Sequence, residues 1–328
     1  MKSHGIIRWG QQTWPATAMG AAEYRRTQRN LEPWLDDVIS IWERWCSREE
    51  PGIEVTTSGT TGSSRVIRHS RTHTLASIQD TLNHWWLPPG SKACLALPTS
   101  FVAGQAMLLR AVEGSWDLTI LKPTSTPEWA GHMDTVSLTP HQARGWIDHG
   151  SGDCRVLLLG GGPVSAKLVG DILASNRVDE LWESYGMSET ISHVATRRLM
   201  GPEDVRAPFH PLPSVTIGVD DAGCAVIHAP TRGVEQLITN DCIEELPQGG
   251  FVWLGRIDDV INSGKTMQYA LVKFLERPTK TIRTVVLVDR KHRRYPVKAD
   301  IVGLSLSTTL KDRVEVVFNS KASKAYLI

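Results

Sequence analysis

The run Thr56-Thr57-Ser58-Gly59-Thr60-Thr61-Gly62-Ser63-Ser64-Arg65 sets hydroxyls and glycines ahead of a cation. Successive backbone N–H groups in such a loop can point at phosphate oxygens, the hydroxyls add donors, and Arg65 supplies charge. The chemistry would be the cradling of a polyphosphate, with the loop expected to enter a helix whose N-terminus adds its own positive field. The GxxxxGK[ST] pattern of the common NTPase loop is absent, which excludes that class. A solvated Ser/Thr/Gly surface loop has the same composition, so the run gains weight only in company.

Three later segments supply that company. In Glu183-Ser184-Tyr185-Gly186-Met187-Ser188-Glu189-Thr190, Gly186 admits a planar ligand closely, Tyr185 can pack on it, and Glu189 can hold Mg²⁺ against phosphate. Read alone it is a turn with an exposed carboxylate. Thr239-Asn240-Asp241 sets a carboxylate after a strand, suited to ribose hydroxyls or to an Asx turn. Gly255-Arg256-Ile257-Asp258-Asp259-Val260-Ile261-Asn262-Ser263-Gly264 is either a polar hinge between domains or a charged hairpin exit.

The elements that must carry these segments follow from periodicity. Leu35, Val38, Ile39, Trp42 and Trp45 recur at helical spacing after Pro33, and Leu75, Ile78, Leu82 and Trp85 do so before Pro88-Pro89-Gly90. Strands are expected at 93–97, 118–121, 134–138 and 155–159, with helices at 105–112, after Pro140, and through Leu168, Ile172 and Leu173. Such alternation predicts a partly parallel sheet covered by helices. From Val215 the pattern changes to short strands, 215–219, 225–227, 235–238 and 251–254, separated by Gly, Asp and Pro turns, as in an antiparallel or barrel-like part. Past Asp258, strands are expected at 284–288 and 314–318. The fold class is therefore α/β, a large N-terminal domain over 1–257 and a small α+β domain over 258–328.

Composition narrows the partners. The 328 residues, 41% of them hydrophobic, suffice for a large core. Thirty-six Lys plus Arg against 35 Asp plus Glu give no reason to expect nucleic acid or an acidic membrane as partner. No stretch approaches the length needed to span a bilayer, and membrane insertion is not expected. Five widely spaced cysteines, without a zinc or redox spacing, fit a reducing cytoplasm. Several of the twelve Trp residues fall beside aliphatics at helical spacing, and most are expected in the core.

In their order, the four segments resemble the core motifs of the acyl-adenylate-forming (AMP-binding) ligase superfamily, over about residues 53 to 328. Leu97-Pro98-Thr99-Ser100-Phe101-Val102-Ala103-Gly104-Gln105 with Arg110 downstream, then Tyr185 to Ala195 and Ile261-Asn262-Ser263-Gly264, are most similar to the short bacterial branch that ligates 2-succinylbenzoate to CoA in menaquinone synthesis. The resemblance implies ATP and CoA as cosubstrates, Mg²⁺, and an aromatic carboxylate as substrate, and leaves a homodimer open as the assembly.

Residue by residue, the resemblance puts Ser58, Gly59, Thr60, Thr61 and Gly62 on the ATP phosphates, with Arg65 where the family has Lys. Gly161, Gly162, Ser184, Tyr185 and Gly186 would wall the adenine pocket, with Ser188 replacing the usual Thr. Glu189 would hold Mg²⁺, Asp241 the ribose, and Arg256 the ribose or phosphate side. Asp258 would be the hinge of a mobile C-terminal domain that brings in Lys324 as catalytic cation, with Lys321 as rival. Phe318 and Ser323 depart from the family's Pro and Gly there, and Lys265 stands where a second Gly is common, near the CoA route. Thr60 and Glu189 would join Lys324 in catalysis. For the acid, Val102, Ala103, Met107 and Ile191 would meet the ring, and Gln105, Arg110, Ser192 and His193 would be polar contacts. Competing readings are another aryl or fatty acid-CoA ligase, or a weakened nucleotide or acyl-AMP-binding protein.

Overall fold

The computed structural model describes residues 4–27, 32–58, 64–221, 223–256, 260–261, 285–290, 301–306, 314–317 and 324–327. The chain opens with a hairpin, β1 (Ile6–Trp9) and β2 (Gln12–Pro15), then α1 (Ala18–Thr27) and α2 (Pro33–Cys46). A second hairpin follows, β3 (Ile53–Ser58) and β4 (Ser64–His69), leading to α3 (Arg71–Trp85). The alternating region then runs β5 (Lys92–Leu95), α4 (Val102–Glu113), β6 (Asp117–Ile120), β7 (His132–Leu138), α5 (Pro140–His149), β8 (Asp153–Leu159) and α6 (Ala166–Ala174). It closes on β9 (Val178–Met187), β10 (Ser192–Arg198) and β11 (His210–Pro211).

These strands form one nine-stranded sheet in the order β11-β10-β9-β8-β7-β5-β6-β1-β2. Pairings from β1 through β6, β5, β7 and β8 to β9 are parallel, and both edges turn antiparallel. The central strands β5, β7 and β8 are buried on both sides, whereas β6 and β9 bury alternate residues. Val156 and Leu158 of β8 face the cluster built by α2, α3 and α4, while Leu157 and Leu159 face that of α5 and α6, as a period of two requires. Strand order reverses between β5 and β7, since α4 lies over one face and α5 over the other. A crevice at the carboxyl ends of the strands is expected at such a reversal.

A four-stranded antiparallel sheet, β12 (Thr216–Val219), β13 (Cys224–Ala229), β14 (Val234–Glu245) and β15 (Phe251–Arg256), follows in sequence order. It packs on β9 and β10 through Tyr185, Val194, Phe209, Ile227 and Phe251. Cys224 and Cys242 are register partners across β13 and β14, a pairing that sequence spacing hides. Beyond it lie a parallel sheet, β16 (Val260–Ile261), β17 (Val285–Arg290) and β18 (Ile301–Leu306), and an antiparallel pair, β19 (Val314–Val317) and β20 (Lys324–Leu327).

One expectation needs amending. The hydroxyl-rich run does not lead into a helix: Thr56 pairs with Val66, Thr57 with Arg65 and Ser58 with Ser64. Val66 and Ile67 are β-branched and follow the run directly, so the chain returns as a strand, and α3 starts only after Ser70, whose side chain caps His73 N–H. The expected helix N-terminus is thereby absent directly after Arg65. The tryptophans behave as expected, with Trp42, Trp45, Trp116 and Trp146 fully buried, although Trp86 is exposed.

Candidate active site

A cavity of about 590 Å³ opens at the strand-order reversal. Its floor comes from residues just past the strands: Leu97 and Pro98 after β5, Thr139 after β7, Gly160 and Gly161 after β8. Thr139 and Gln142 make a reciprocal capping box at the start of α5. The Gln142 amide also donates to the carbonyls of Ala96 at 2.8 Å and Thr124 at 3.0 Å. One capping side chain thus fixes three loops around the opening.

One wall is the segment Ser184 to His193. On β9, Ser184 and Gly186 face the cavity, so Tyr185 faces away. The Tyr185 ring packs against Phe209 and Phe251, and its hydroxyl donates to Asp241 Oδ2 at 2.9 Å. The expected stacking of Tyr185 on adenine is therefore replaced by a link between two motifs. Glu183, the first carboxylate of the segment, is taken by Arg197 in a buried pair at 2.5 Å. A Cβ on Gly186 would lie 2.2 Å from the Ser192 carbonyl oxygen, so this glycine is required by the returning backbone of β10 rather than by a ligand.

Between β9 and β10 the chain makes the 3₁₀ turn Ser188–Thr190, then places Ile191 and Ser192 in the left-handed region, with φ of 54° and 73°. For a β-branched residue that conformation costs roughly 1–3 kcal/mol and persists only when neighbours over-determine it. They do so here. Ser188 O accepts from His69 Nε2 at 2.7 Å, Ile191 O from Ser77 Oγ at 2.7 Å, and Ser192 O from Thr190 Oγ1 at 2.9 Å. Burial holds the His69 ring below the usual histidine range, in keeping with a neutral ring that donates. Ser188, Ser192 and His193 are left facing the cavity.

At the inner end of the cavity lies Arg110 of α4, only 3% exposed. Its Nε has no partner, and its Nη2 donates to His193 Nδ1 at 3.5 Å. His193 Nε2 then faces Thr81 Oγ1 at 3.2 Å, and Thr81 donates to the Ser77 carbonyl at 3.2 Å. An acceptor at Nδ1 makes Nε2 the protonated nitrogen. Burial, then the Arg110, Arg232 and His84 charges, push the His193 pKa well below its ordinary value. Burial, helped by Arg232, lowers Arg110 to about 9. Among the described residues no carboxylate pairs with Arg110, so within them this buried cation has no counter-charge.

Several expected contacts lie elsewhere. Val102 and Ala103 line the cavity, but Met107 and Ile191 point into the core. Gln105 is buried and its amide donates to the carbonyls of Glu54 at 2.6 Å and Thr99 at 3.0 Å, which locks α4 to β3 instead of presenting an amide to substrate. Gly161 lines the cavity in a left-handed conformation, φ 74°; Gly162 lies outside its lining. Asp241 is buried beside Tyr185, in register with Arg256. Arg65 is exposed on β4, and Glu189 sits half-buried in the 3₁₀ turn. Gly59, Thr60, Thr61, Gly62, Asp258, Lys265 and Lys321 lie outside the described residues, as do the side chains of Ser58, Arg256 and Lys324. Arg232 and Asp80, which sequence reading missed, complete the support of this wall and carry no motif that could have flagged them.

Residues 20–233 match the AMP-binding enzyme family model, and the chain belongs to that family. Among solved structures it is similar to an acyl-CoA synthetase (AMP-forming)/AMP-acid ligase II-like protein from Dyadobacter fermentans, 26% identical over 95% of this chain and 83% of that one, TM-score 0.60. It is also similar to unliganded O-succinylbenzoate coenzyme A synthetase from Bacillus subtilis, 14% identical over 84% and 85% of the chains, TM-score 0.62. The same enzyme in complex with ATP and magnesium ion aligns at 19% identity over 66% and 52%, TM-score 0.53. Residues 257–318 match a different model, the phosphoribosyl transferase domain. The curated relatives matched include bifunctional protein PyrR from Geobacter sulfurreducens, 39% identical over 66 residues, 20% of this chain and 37% of that protein. PyrR from Limosilactobacillus reuteri is 34% identical over 122 residues, 37% and 64% respectively. The chain spans less than two thirds of the length of either PyrR.

Proposed function

We propose that this chain activates an aromatic carboxylic acid bearing a second carboxylate, of the 2-succinylbenzoate class, as its acyl adenylate, and passes the acyl group to CoA. The observation that carries the substrate class is Arg110: buried, aimed into the cavity and without a carboxylate partner among the described residues. A buried guanidinium is retained at large cost unless an anion meets it. Val102 and Ala103 offer apolar contact in the same cavity.

A carboxylate is a poor acyl donor because oxide leaves badly. Its oxygen attacks the α-phosphorus of ATP, the bond to the β-phosphate oxygen breaks, and pyrophosphate departs; the CoA thiol then displaces AMP. No side-chain nucleophile is needed, and the protein aligns the reactants and balances charge. Residues 58–62 and Arg65 would hold the phosphates, Gly161, Ser184 and Gly186 the adenine, and Asp241 the ribose. Glu189 is a single half-buried carboxylate in the 3₁₀ turn that follows the cavity-lining Ser188, and no cluster of three or more metal-ligating side chains exists among the described residues. That fits Mg²⁺, which takes one or two carboxylates and completes its shell with phosphate and water, and which would supply charge neutralisation. A reducing cytoplasm as the setting is supported by five free cysteines. Among the described residues no helix is long and apolar enough to cross a membrane.

The tail has two readings. By the first, 258–328 is a mobile domain hinged at Asp258 that brings Lys324 to the adenylation step and Lys265 toward the thiol. By the second, favoured by the match of 257–318 and by the parallel pairing of β16, β17 and β18, it is a phosphoribosyl transferase-like part, and the adenylate site works without Lys324. The deciding experiment for the whole proposal is pyrophosphate release across a panel of acids, with adenylate and thioester read separately. 2-Succinylbenzoate is expected to be fastest; benzoate or a fatty acid far outrunning it would overturn the substrate class. Adenylate without CoA consumption would confine the chain to the first half-reaction.

A further inference from the structure

We propose that Arg232, held by Asp80, is a positioning residue of the adenylation site, setting the left-handed turn that presents Ser192 and His193 to the cavity. Arg232 ends the 3₁₀ turn Pro230–Arg232 between β13 and β14, and its side chain is wholly buried without lining the cavity. Nη1 donates to two carbonyls of the site wall, His193 O at 2.8 Å and Thr190 O at 3.3 Å. Nη2 and Nε donate to Asp80 Oδ2 on α3 at 2.6 and 3.2 Å. The two carbonyls flank Ile191 and Ser192, the pair with positive φ, so one guanidinium grips the strained step from both sides.

The approach of Arg232 is itself built into the chain. Gly233 has φ 74°, and a Cβ there would fall 2.4 Å from the His73 ring, so only glycine lets the 3₁₀ turn close onto α3. Asp80 also accepts from Ser214, which ties the start of the antiparallel sheet to the same carboxylate. A planar fork with five donors can serve two carbonyls and a carboxylate together; an ammonium has three donors and no fixed plane. Arg232 does not line the cavity and acts through the backbone of residues 190–193.

This inference rests on the adenylation reading for its kinetic readout. The full chain would be compared with Arg232→Met, Arg232→Lys and Asp80→Asn, and with Ile172→Ala, a remote truncation in the α6 core. Pyrophosphate release is measured against acid and ATP separately, and amide hydrogen exchange over 187–193 independently of any substrate. Arg232→Met is expected to raise the KM for the acid about tenfold or more, with less change for ATP, and to speed exchange in 187–193 while α6 stays protected. Arg232→Lys should recover part of both, and Asp80→Asn should move both in the same direction by less. Ile172→Ala should lower thermal stability without altering KM. If Arg232→Met behaves like Ile172→Ala, with unchanged KM and unchanged local exchange, the proposal fails. If it does not fold, Asp80→Asn decides on the same two readouts. No pyrophosphate release by the unaltered chain with any acid would sink the adenylation reading instead, and exchange alone would then judge Arg232.

Discussion

Arg110 and His193 meet as cation and acceptor, Nη2 to Nδ1 at 3.5 Å, so the histidine orients the guanidinium without cancelling its charge. A carboxylate in place of His193 would pair with Arg110 and close the site to an anionic ligand. The neutral ring keeps that charge available. Arg110→Met should therefore raise the KM for a dicarboxylate about 30-fold, the worth of a hydrogen bond to a charged group, while benzoate changes little. Steady-state kinetics on both acids checks this.

The same contact gives a pH dependence with a definite sign. Burial lowers the Arg110 pKa to about 9, so the guanidinium is charged at neutral pH and its hold on the proton weakens as pH rises. The KM for the dicarboxylate should be flat through pH 7–8 and rise as pH passes 9. His193, held neutral, should add no inflection near its ordinary value. A pH profile of kcat/KM for dicarboxylate against monocarboxylate measures the difference.

Tyr185 and Asp241 make a separate test. Removing the phenol in Tyr185→Phe leaves the Asp241 carboxylate without its donor at 2.9 Å. The KM for ATP should rise about threefold to tenfold, the worth of one such bond, with the KM for the acid unmoved; Asp241→Asn should cost more. Were Tyr185 a stacking residue for adenine, Phe would retain function, so this variant separates the two roles.

Lys324→Ala discriminates the readings of the tail. Slower adenylate formation, with thioester formation from supplied adenylate less affected, assigns Lys324 to the first step. Unchanged adenylate formation favours the phosphoribosyl transferase-like reading of 257–318.

Gly233→Ala should destabilise the fold by about 1–3 kcal/mol, because φ is 74° and the added methyl meets the His73 ring. Thermal unfolding reads the loss directly.

How far the sequence could be read follows from the kind of signal each part carries. The elements from β5 to α6 were legible because most are apolar runs or helical stripes closed by Gly or Pro, as at Pro98, Gly114, Pro140, Gly150 and Gly160, and Arg110 and His193 were legible through the motifs around them. The β3–β4 hairpin was not, since hydroxyls and glycines mark a connection without saying whether a helix or a strand follows. Tyr185 was misplaced for a simpler reason: its segment was read as a turn, whereas in the strand it occupies, alternation sends Ser184 and Gly186 to one face and Tyr185 to the other. Asp80 and Arg232 stand 152 residues apart, and no local pattern announces a pair at that distance.

The reach of Arg232 from the antiparallel sheet to β10 also limits where this chain can be recombined. A chimera joined between residues 200 and 230 would give Thr190 and His193 carbonyls a foreign neighbour in place of the guanidinium, and would strand Asp80 on α3. Shuffled libraries drawn from related sequences should therefore yield active members when the crossover lies beyond Gly233, so that wall and strap are inherited together.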